Sequence, residues 1–416
     1  MKAFRNHVPI NEAAKNTHMT HLEDLILDGG VKGARQAIFA LRSLRDMLQG
    51  NSKSPVDVTV KWDGAPAVFA GEDPATGEFF VAKKGVFNKN PKIYKNHAEI
   101  EEDNKGKTAL IAKLKIAFDN LKDVGIKGVI QGDFMFDKSD LKTEKIDGQS
   151  YVTFHPNAVV YAFPVGSAEA KKVQRANMGI VWHTSYSGGT FESMRAQFGG
   201  NISGKLKQSS KVWMQDATLD DLSGTATLTA KETEALNKTL SSAGKIFQSI
   251  ASSTLKTIES NKELNLMINV YNNTKVRAGQ KVTDTRKHAI GMIMFVQSRY
   301  QKEIDKRSSQ KGKDTQAAKR DEILKFFDKK NLKNLQLIFD LQNLVVDSKL
   351  IIINKLNKLN KIGTFVKTKS GFKVTNPEGF VAIDRMDGGA VKLVDRMEFS
   401  TNNFSKDIIK GWDNPN

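Results

Sequence analysis

The segment Val58-Thr-Val-Lys-Trp-Asp-Gly-Ala-Pro-Ala67 holds the residues best suited to chemistry. Valines at 56, 58 and 60 alternate with polar neighbours, a strand signal, and that strand delivers Lys61 to a tight turn ending at Gly64. A lysine attacks only as the free amine, so its pKa must be lowered, and a strand end in a pocket beside other cations can provide that. Asp63 could orient the site or accept from a ribose hydroxyl, and Gly64 would let backbone approach a phosphate or sugar closely. Taken alone, Lys-x-Asp-Gly also fits a plain β-turn with an exposed lysine.

Three later segments put charge into apolar strand patterns. Gly128-Val-Ile-Gln-Gly-Asp-Phe-Met-Phe136 carries Asp133 in mid-strand, where a carboxylate is costly to bury without a lysine, ribose or metal partner. Pro377-Glu-Gly-Phe-Val381 sets Glu378 at a strand start before Gly379, and Ala390-Val-Lys-Leu-Val394 sets Lys392 among apolar residues, where an ammonium needs an anion. Other candidates read as structural. His155, His183 and His288 lack paired metal-ligand spacing, Trp62 packs beside the site, and Met292 to Met294 fill a core. There is no Gly-x-Ser-x-Gly elbow and no Walker A sequence.

The elements that must position these residues alternate in period. Residues 1–54 read as a helical preface: Leu22, Leu25 and Ile26 share one helical face, Gly29 and Gly30 stop it, and apolar residues from Ala34 to Leu48 mark a second helix. Short strands are predicted at 67–70, 79–82, 129–136, 151–154 and 159–163, with helix over 97–123, so residues 55–200 form an α+β unit. A polar linker at 200–210 leads to a helical segment, 211–360, within which QKGKDTQAAKR reads as a loop. Strands return over 361–416, with a hairpin turning at Ser370-Gly371. The simplest topology is one α+β domain interrupted by a basic helical insertion.

Composition points to a polyanionic partner. The 416 residues carry a net charge of +18, and residues 231–360 hold 25 basic against 13 acidic side chains, a net +12. Lys311, Lys313, Lys319 and Arg320 lie in the densest stretch. The absence of cysteine excludes disulfides, thiolate metal sites and thiol nucleophiles. No signal-peptide pattern or membrane-spanning apolar run is present, which predicts a cytoplasmic protein with no membrane partner. No sequence feature fixes an oligomeric state.

Lys61 to Gly64, Gly132 to Phe134, Glu378 to Val381 and Val391 to Val394 resemble, in order, motifs I, III, IV and V of the covalent nucleotidyltransferases, the superfamily of ATP-dependent DNA and RNA ligases and mRNA capping enzymes. Val159-Val-Tyr-Ala-Phe163 sits where that family has motif IIIa, and Phe80-Val-Ala-Lys-Lys-Gly85 where a basic motif Ia falls. HLEDLILDGG, KWDGAPAVF, KKGVFNKNPK and FHPNAVVYAFP resemble a tailed-phage protein family, which covers most of the chain and supplies no activity.

The resemblance implies an α+β nucleotidyltransferase (ATP-grasp-like ligase) domain of antiparallel sheets and helices. Lys61 would attack the α-phosphate of ATP, and Lys392 would contact that phosphate. Asp63, Gly64, Asp133, Tyr161, Phe163, Glu378 and Gly379 would bind the nucleotide, with an aromatic residue of 159–163 stacking on the purine. Glu378 and Asp133 would hold Mg²⁺ or Mn²⁺. Lys83, Lys84 and Lys89, with the four basic residues at 311–320, would bind nucleic acid. Pro66 stands where the family has Arg, Asp133 replaces Glu, Val394 replaces a second motif V lysine, and the 20 residues after Arg396 leave no room for an OB-fold. The expected function is ligase-like joining of RNA or DNA ends, RNA ahead of DNA, in an infected host cell. The alternatives are a catalytically reduced phage protein that binds nucleic acid or joins the virion, and a guanylyltransferase or protein adenylyltransferase.

Overall fold

The computed structural model describes residues 19–49, 56–217, 227–358, 363–384 and 389–411, so residues 1–18 and 50–54 of the expected preface lie outside it. Its strands are β1 (Val56–Lys61), β2 (Ala67–Glu72), β3 (Phe79–Ala82), β4 (Ile93–Tyr94), β5 (Val129–Asp137), β6 (Lys142–Ile146), β7 (Gln149–Phe154), β8 (Val159–Pro164), β9 (Met178–Ser187), β10 (Arg195–Phe198), β11 (Val212–Asp216), β12 (Gly363–Thr368), β13 (Gly371–Val374), β14 (Gly379–Asp384), β15 (Ala390–Leu393) and β16 (Ile408–Ile409). The helices are α1 (Leu25–Asp28), α2 (Gly30–Met47), α3 (His97–Asp103), α4 (Thr108–Leu121), α5 (Ala168–Arg175), α6 (Ala230–Ser249), α7 (Ser252–Ser260), α8 (Lys262–Arg277), α9 (Thr285–Asp305), α10 (Gln310–Leu324), α11 (Lys329–Asn357) and α12 (Arg396–Phe404).

The class is α+β with sheets built almost wholly of antiparallel pairs. A small sheet runs β1-β14-β15, and a large one β10-β9-β5-β2-β3-β4 with β11 pairing β9 in parallel. A third runs β13-β12-β8-β7-β6, with β16 on β12. Strands from both ends of the chain share the small and third sheets, which is how motifs at 61 and 378 can meet.

The three largest apolar clusters among the described residues fix these layers. α4 covers one face of the large sheet through Leu114, Ala117 and Leu121. An aromatic cluster of Trp62, Phe136, Phe154, Tyr161, Phe163 and Trp213 fills the space where the large and third sheets meet. The largest core joins α2 (Ala34, Ala37, Leu41, Leu44), helices α6 to α11, and Phe380, Ala382, Val391 and Leu393 of the small sheet.

That last core shows where the helical segment between β11 and β12 packs. The N-terminal helices and the basic segment form one layer packed behind β14 and β15, so the segment is continuous with the sheet's core. Its start also moves: β11 belongs to the large sheet, and the helices begin at Ala230 rather than 211. QKGKDTQAAKR is α10, capped by Ser309 accepting from the Gly312 N–H, rather than a loop.

Candidate active site

β1 and β14 pair antiparallel with Lys61 opposite Gly379, so Glu378 arrives beside the lysine and its Oε2 meets Nζ. β14 then pairs with β15, putting Lys392 opposite Val381 on the same small sheet. The N-terminal segment seals the far edge of β15: the Lys392 N–H donates to Thr20 O at 3.0 Å, and the Leu22 N–H donates to Lys392 O at 3.3 Å.

Asp133 reaches the cluster through an irregular ladder. The pairing passes from Gln131–Thr184 to Gly132–Trp182, leaving His183 as the extra residue of a β-bulge. Its Nε2 lies 3.8 Å from Asp133 Oδ1, and its Nδ1 lies 2.7 Å from Thr184 Oγ1. His183, read from sequence as structural, therefore faces the site. Its position in a strand that pairs with the motif III strand is the signal that could have found it.

The electrostatics reverse one expectation. Burial alone would depress the Lys61 ammonium, but the carboxylates of Glu378, Asp133 and Asp63 outweigh it and hold the pKa above the usual lysine value. Glu378 is pushed up to about 7 by burial, with Asp63 and Asp133 adding to the rise and Lys61 opposing it. The depressed lysine is Lys392, lowered by burial and then by the charge of Lys61, with Lys84 also contributing. Lys61 thus sits among acids rather than among cations, and rests as an ammonium ion.

Several expected ligand contacts are committed within the protein. Asp63 Oδ2 accepts from the backbone N–H groups of Ala158 and Val159 at 2.9 and 3.1 Å, and Oδ1 accepts from Asn157 Nδ2 at 2.8 Å. Its own N–H donates to the Tyr161 hydroxyl at 2.7 Å. Asp63 orients the turn after β1 instead of offering a carboxylate to ribose. Tyr161 stacks on Trp62 with centroids 4.8 Å apart, and Phe163 packs on Phe154 and Trp213, so both rings are buried rather than open to a purine. Beside Glu378 the cleft measures only about 20 Å³, walled in part by Asn376, Phe399, Asn402 and Asn403.

The glycines serve close packing. A Cβ on Gly64 would lie 2.5 Å from Asp133 Cβ and 2.8 Å from Met135 Sδ, and one on Gly379 2.7 Å from Leu393 O. Both are needed by neighbouring strands, so close approach of a nucleotide is not what requires them.

The basic residues divide. Lys84 is exposed and close enough to Lys392 to lower it. Lys83 turns to α3, where it bonds Asn104 and lies 3.7 Å from Asp103. Lys89 is exposed beyond β3. Lys311 and Lys319 are exposed and Lys313 and Arg320 partly buried on α10, which packs on α9. Arg320 Nε donates to Asp321 Oδ1 at 2.8 Å. Among the described residues, no group of three His, Asp or Glu is arranged to hold a metal ion, and no helix is long and apolar enough to cross a membrane.

The fold and site thus define an α+β protein with a buried lysine–carboxylate cluster assembled from both ends of the chain. The chain belongs to the family described as a family of unknown function (DUF6267), which it matches over residues 16–408. No curated protein and no solved structure matches it.

Proposed function

We propose that this chain is a ligase-like adenylyltransferase of the covalent nucleotidyltransferase fold, using ATP and joining nucleic-acid ends, RNA ahead of DNA. The observation that carries the reading is the meeting of Lys61 with Glu378, 317 positions away, in one cluster with Asp133 and Lys392.

In this reading Lys61 must lose its ammonium proton, and Glu378, in contact with it and titrating near 7, is the acceptor. Nζ then bonds the α-phosphorus, a second proton leaves, and pyrophosphate departs with the electron pair of the broken P–O bond. The AMP passes to a 5′-phosphate end, and a 3′-hydroxyl displaces it. Lys392 and Lys84 supply positive charge to the phosphates. Glu378 and Asp133 are the carboxylates that would hold Mg²⁺ or Mn²⁺; such ions take one or two carboxylates and otherwise phosphate and water, so a three-residue cage is not required. When bound, the ion offsets charge on the leaving pyrophosphate.

Incubation with α-labelled ATP or GTP and either metal, followed by a denaturing gel, tests this. Label should remain on the wild-type chain and be lost in Lys61→Ala. Retention from GTP alone would favour a guanylyltransferase, and label passed to a polypeptide would favour a protein adenylyltransferase. A wild type left unlabelled by both nucleotides with both metals sinks the enzyme reading.

A second reading is a catalytically reduced nucleic-acid-binding or virion protein of the same fold. The burial of Tyr161 and Phe163 and the presence of Val394 in place of a second motif V lysine favour it. For either reading the proposed setting is the cytoplasm of a phage-infected cell.

A further inference from the structure

Lys61 and Lys392 lie on one face of the small sheet. Lys61 pairs with Gly379 and Lys392 with Val381, and residues 379 and 381, two apart on β14, share a face. Their ammonium groups repel: burial lowers the Lys392 pKa, and the charge of Lys61 lowers it further. A strand that carries one of two like charges needs something to hold it in place.

The segment before α1 supplies that hold. β15 ends the order of its sheet, yet at Lys392 both backbone groups on its outer side are taken, the N–H by Thr20 O and the C=O by the Leu22 N–H. One bridge of this length is a small contact, and a charged side chain fastens it. Arg396 follows Lys392 by four residues, at the start of α12, and reaches back to the same segment. Its Nη1 donates to Asp24 Oδ1 at 2.9 Å and lies 3.6 Å from Glu23 Oε1, and its Nη2 donates to Asn273 Oδ1 of α8. The contacts close a ring from Lys392 through Arg396 and Asp24 to residues 20–22 and back to Lys392. With the guanidinium committed inside this ring and mostly buried, Arg396 is not offered to a phosphate.

We propose that Arg396 is a positioning residue of the candidate active site: it fastens residues 20–24 along β15 and so keeps Lys392 on the face it shares with Lys61, as the second cation for the phosphates. The phosphate role rests on the adenylyltransferase reading, whereas the clamp on the Lys392 backbone does not. Two cations held in place against their own repulsion meet the phosphates without further reorganisation. Arg396 acts through Lys392 and touches no substrate.

Amide hydrogen exchange of the full chain, without nucleotide, tests the clamp. The Lys392 N–H, bonded to Thr20 O, should exchange about tenfold or more faster in Arg396→Gln, while amides of β5 and β9 keep their wild-type rates. Should that variant not fold, Asp24→Asn, which keeps the size of the side chain, carries the same test. Unchanged exchange at Lys392, or an equal acceleration throughout the large sheet, overturns the proposal. Transfer of label from ATP then reads the part played in the chemistry. Arg396→Gln and Lys392→Ala should each slow labelling, and the double variant should be no slower than Lys392→Ala alone. Effects that multiply would show that Arg396 does not act through Lys392, and would overturn the positioning role. A wild type that takes no label, with exchange at Lys392 still responding to Arg396, removes the adenylyltransferase reading and leaves the clamp; a labelled wild type with unresponsive exchange does the reverse.

Discussion

Lys61 lies directly opposite Gly379 in the β1–β14 ladder, and this register brings the ammonium onto the carboxylate of Glu378, the residue just before that strand. The contact holds Lys61 as an ammonium, so Glu378→Gln should free it. Burial would persist while the foremost counter-charge is gone, which lowers the lysine pKa. Mass-spectrometric footprinting with an amine-reactive reagent at mildly alkaline pH should find Lys61 modified faster in the variant. An unchanged rate would mean that the pair does not control the lysine. Nucleotide transfer should nevertheless be lost, because the proton acceptor is gone.

The pH dependence follows from the same pair. Glu378 titrates near 7 in the folded protein, above the usual carboxylate range, so the folded state binds a proton that the unfolded chain has released. Stability should therefore fall as pH rises from about 4.5 to about 7. Lys61 acts in the same direction but at higher pH, its raised pKa contributing stability that is complete below the usual lysine value and lost only above it. In melts between about pH 5 and about pH 8, wild type should lose stability relative to Glu378→Gln. Parallel curves for the two proteins would exclude the raised pKa. Transfer from ATP, which needs ionised Glu378, should rise with pH through about 7.

Much of this cluster was legible in the sequence because charged residues interrupt apolar strand patterns at 61, 133, 378 and 392. Strand positions were legible too: β3 was predicted at its observed bounds, 79–82, and the hairpin of β12 and β13 turns at Lys369-Ser370, one residue before the predicted Ser370-Gly371. What each side chain touches was not. Asp63 looked available for a ribose because nothing in KWDG reveals that the turn at 157–159 claims both its oxygens. His183 was passed over because a bulge is a property of two paired strands, not of one. The packing of the helical insertion on α2 and the small sheet was not legible because helical periodicity shows that a face is buried without showing what buries it.

Gly379→Ala should damage the site without touching a reacting group. Gly379 has φ 153°, and a Cβ there would lie 2.7 Å from Leu393 O and 2.8 Å from Val394 Cγ2, against the neighbouring strand and the residue after it. A loss of about 1–3 kcal/mol is expected in urea unfolding, together with weaker coupling of Lys61 to Glu378. Wild-type stability in this variant would contradict the tight β14–β15 packing.

Lys349→Ala should be far more costly. Lys349 on α11 and Glu23 before α1 are both buried and meet at 2.7 and 2.9 Å, so removing the lysine leaves a buried carboxylate with only Arg396, at 3.6 Å, as counter-charge. The expected loss is about 3–5 kcal/mol. Burial would raise Glu23, but Lys349, His21 and Arg396 overcome it and hold the group down to about 2. Its contribution is present above the usual carboxylate range and is lost as pH falls toward 2, so wild type and Lys349→Ala should converge in acid. A small difference at neutral pH would show that water reaches the pair.

Every motif residue lies outside the basic helical layer, yet the layer's packing ties it to the site. Leu236 and Leu240 of α6, Leu341 and Val345 of α11, and Phe380 and Leu393 of the small sheet belong to one core with α2. Excising residues 227–358 would open that core and expose the back of the sheet that carries Lys61 and Lys392, so the truncated chain should lose cooperative melting and resistance to protease. A test of the layer's charge must keep its fold. Joint replacement of Lys311, Lys313, Lys319 and Arg320 on α10 by glutamine alters two exposed and two partly buried surface positions, where single changes usually stay within about 0.5 kcal/mol. If α10 contacts nucleic acid, the salt dependence of binding should flatten by about 0.7 to 0.9 log units per log unit of salt for each phosphate contact removed. A variant that melts like wild type and keeps the wild-type salt slope would show that α10 presents a solvated face, leaving phosphate binding to the cations around Lys61, Lys84 and Lys392.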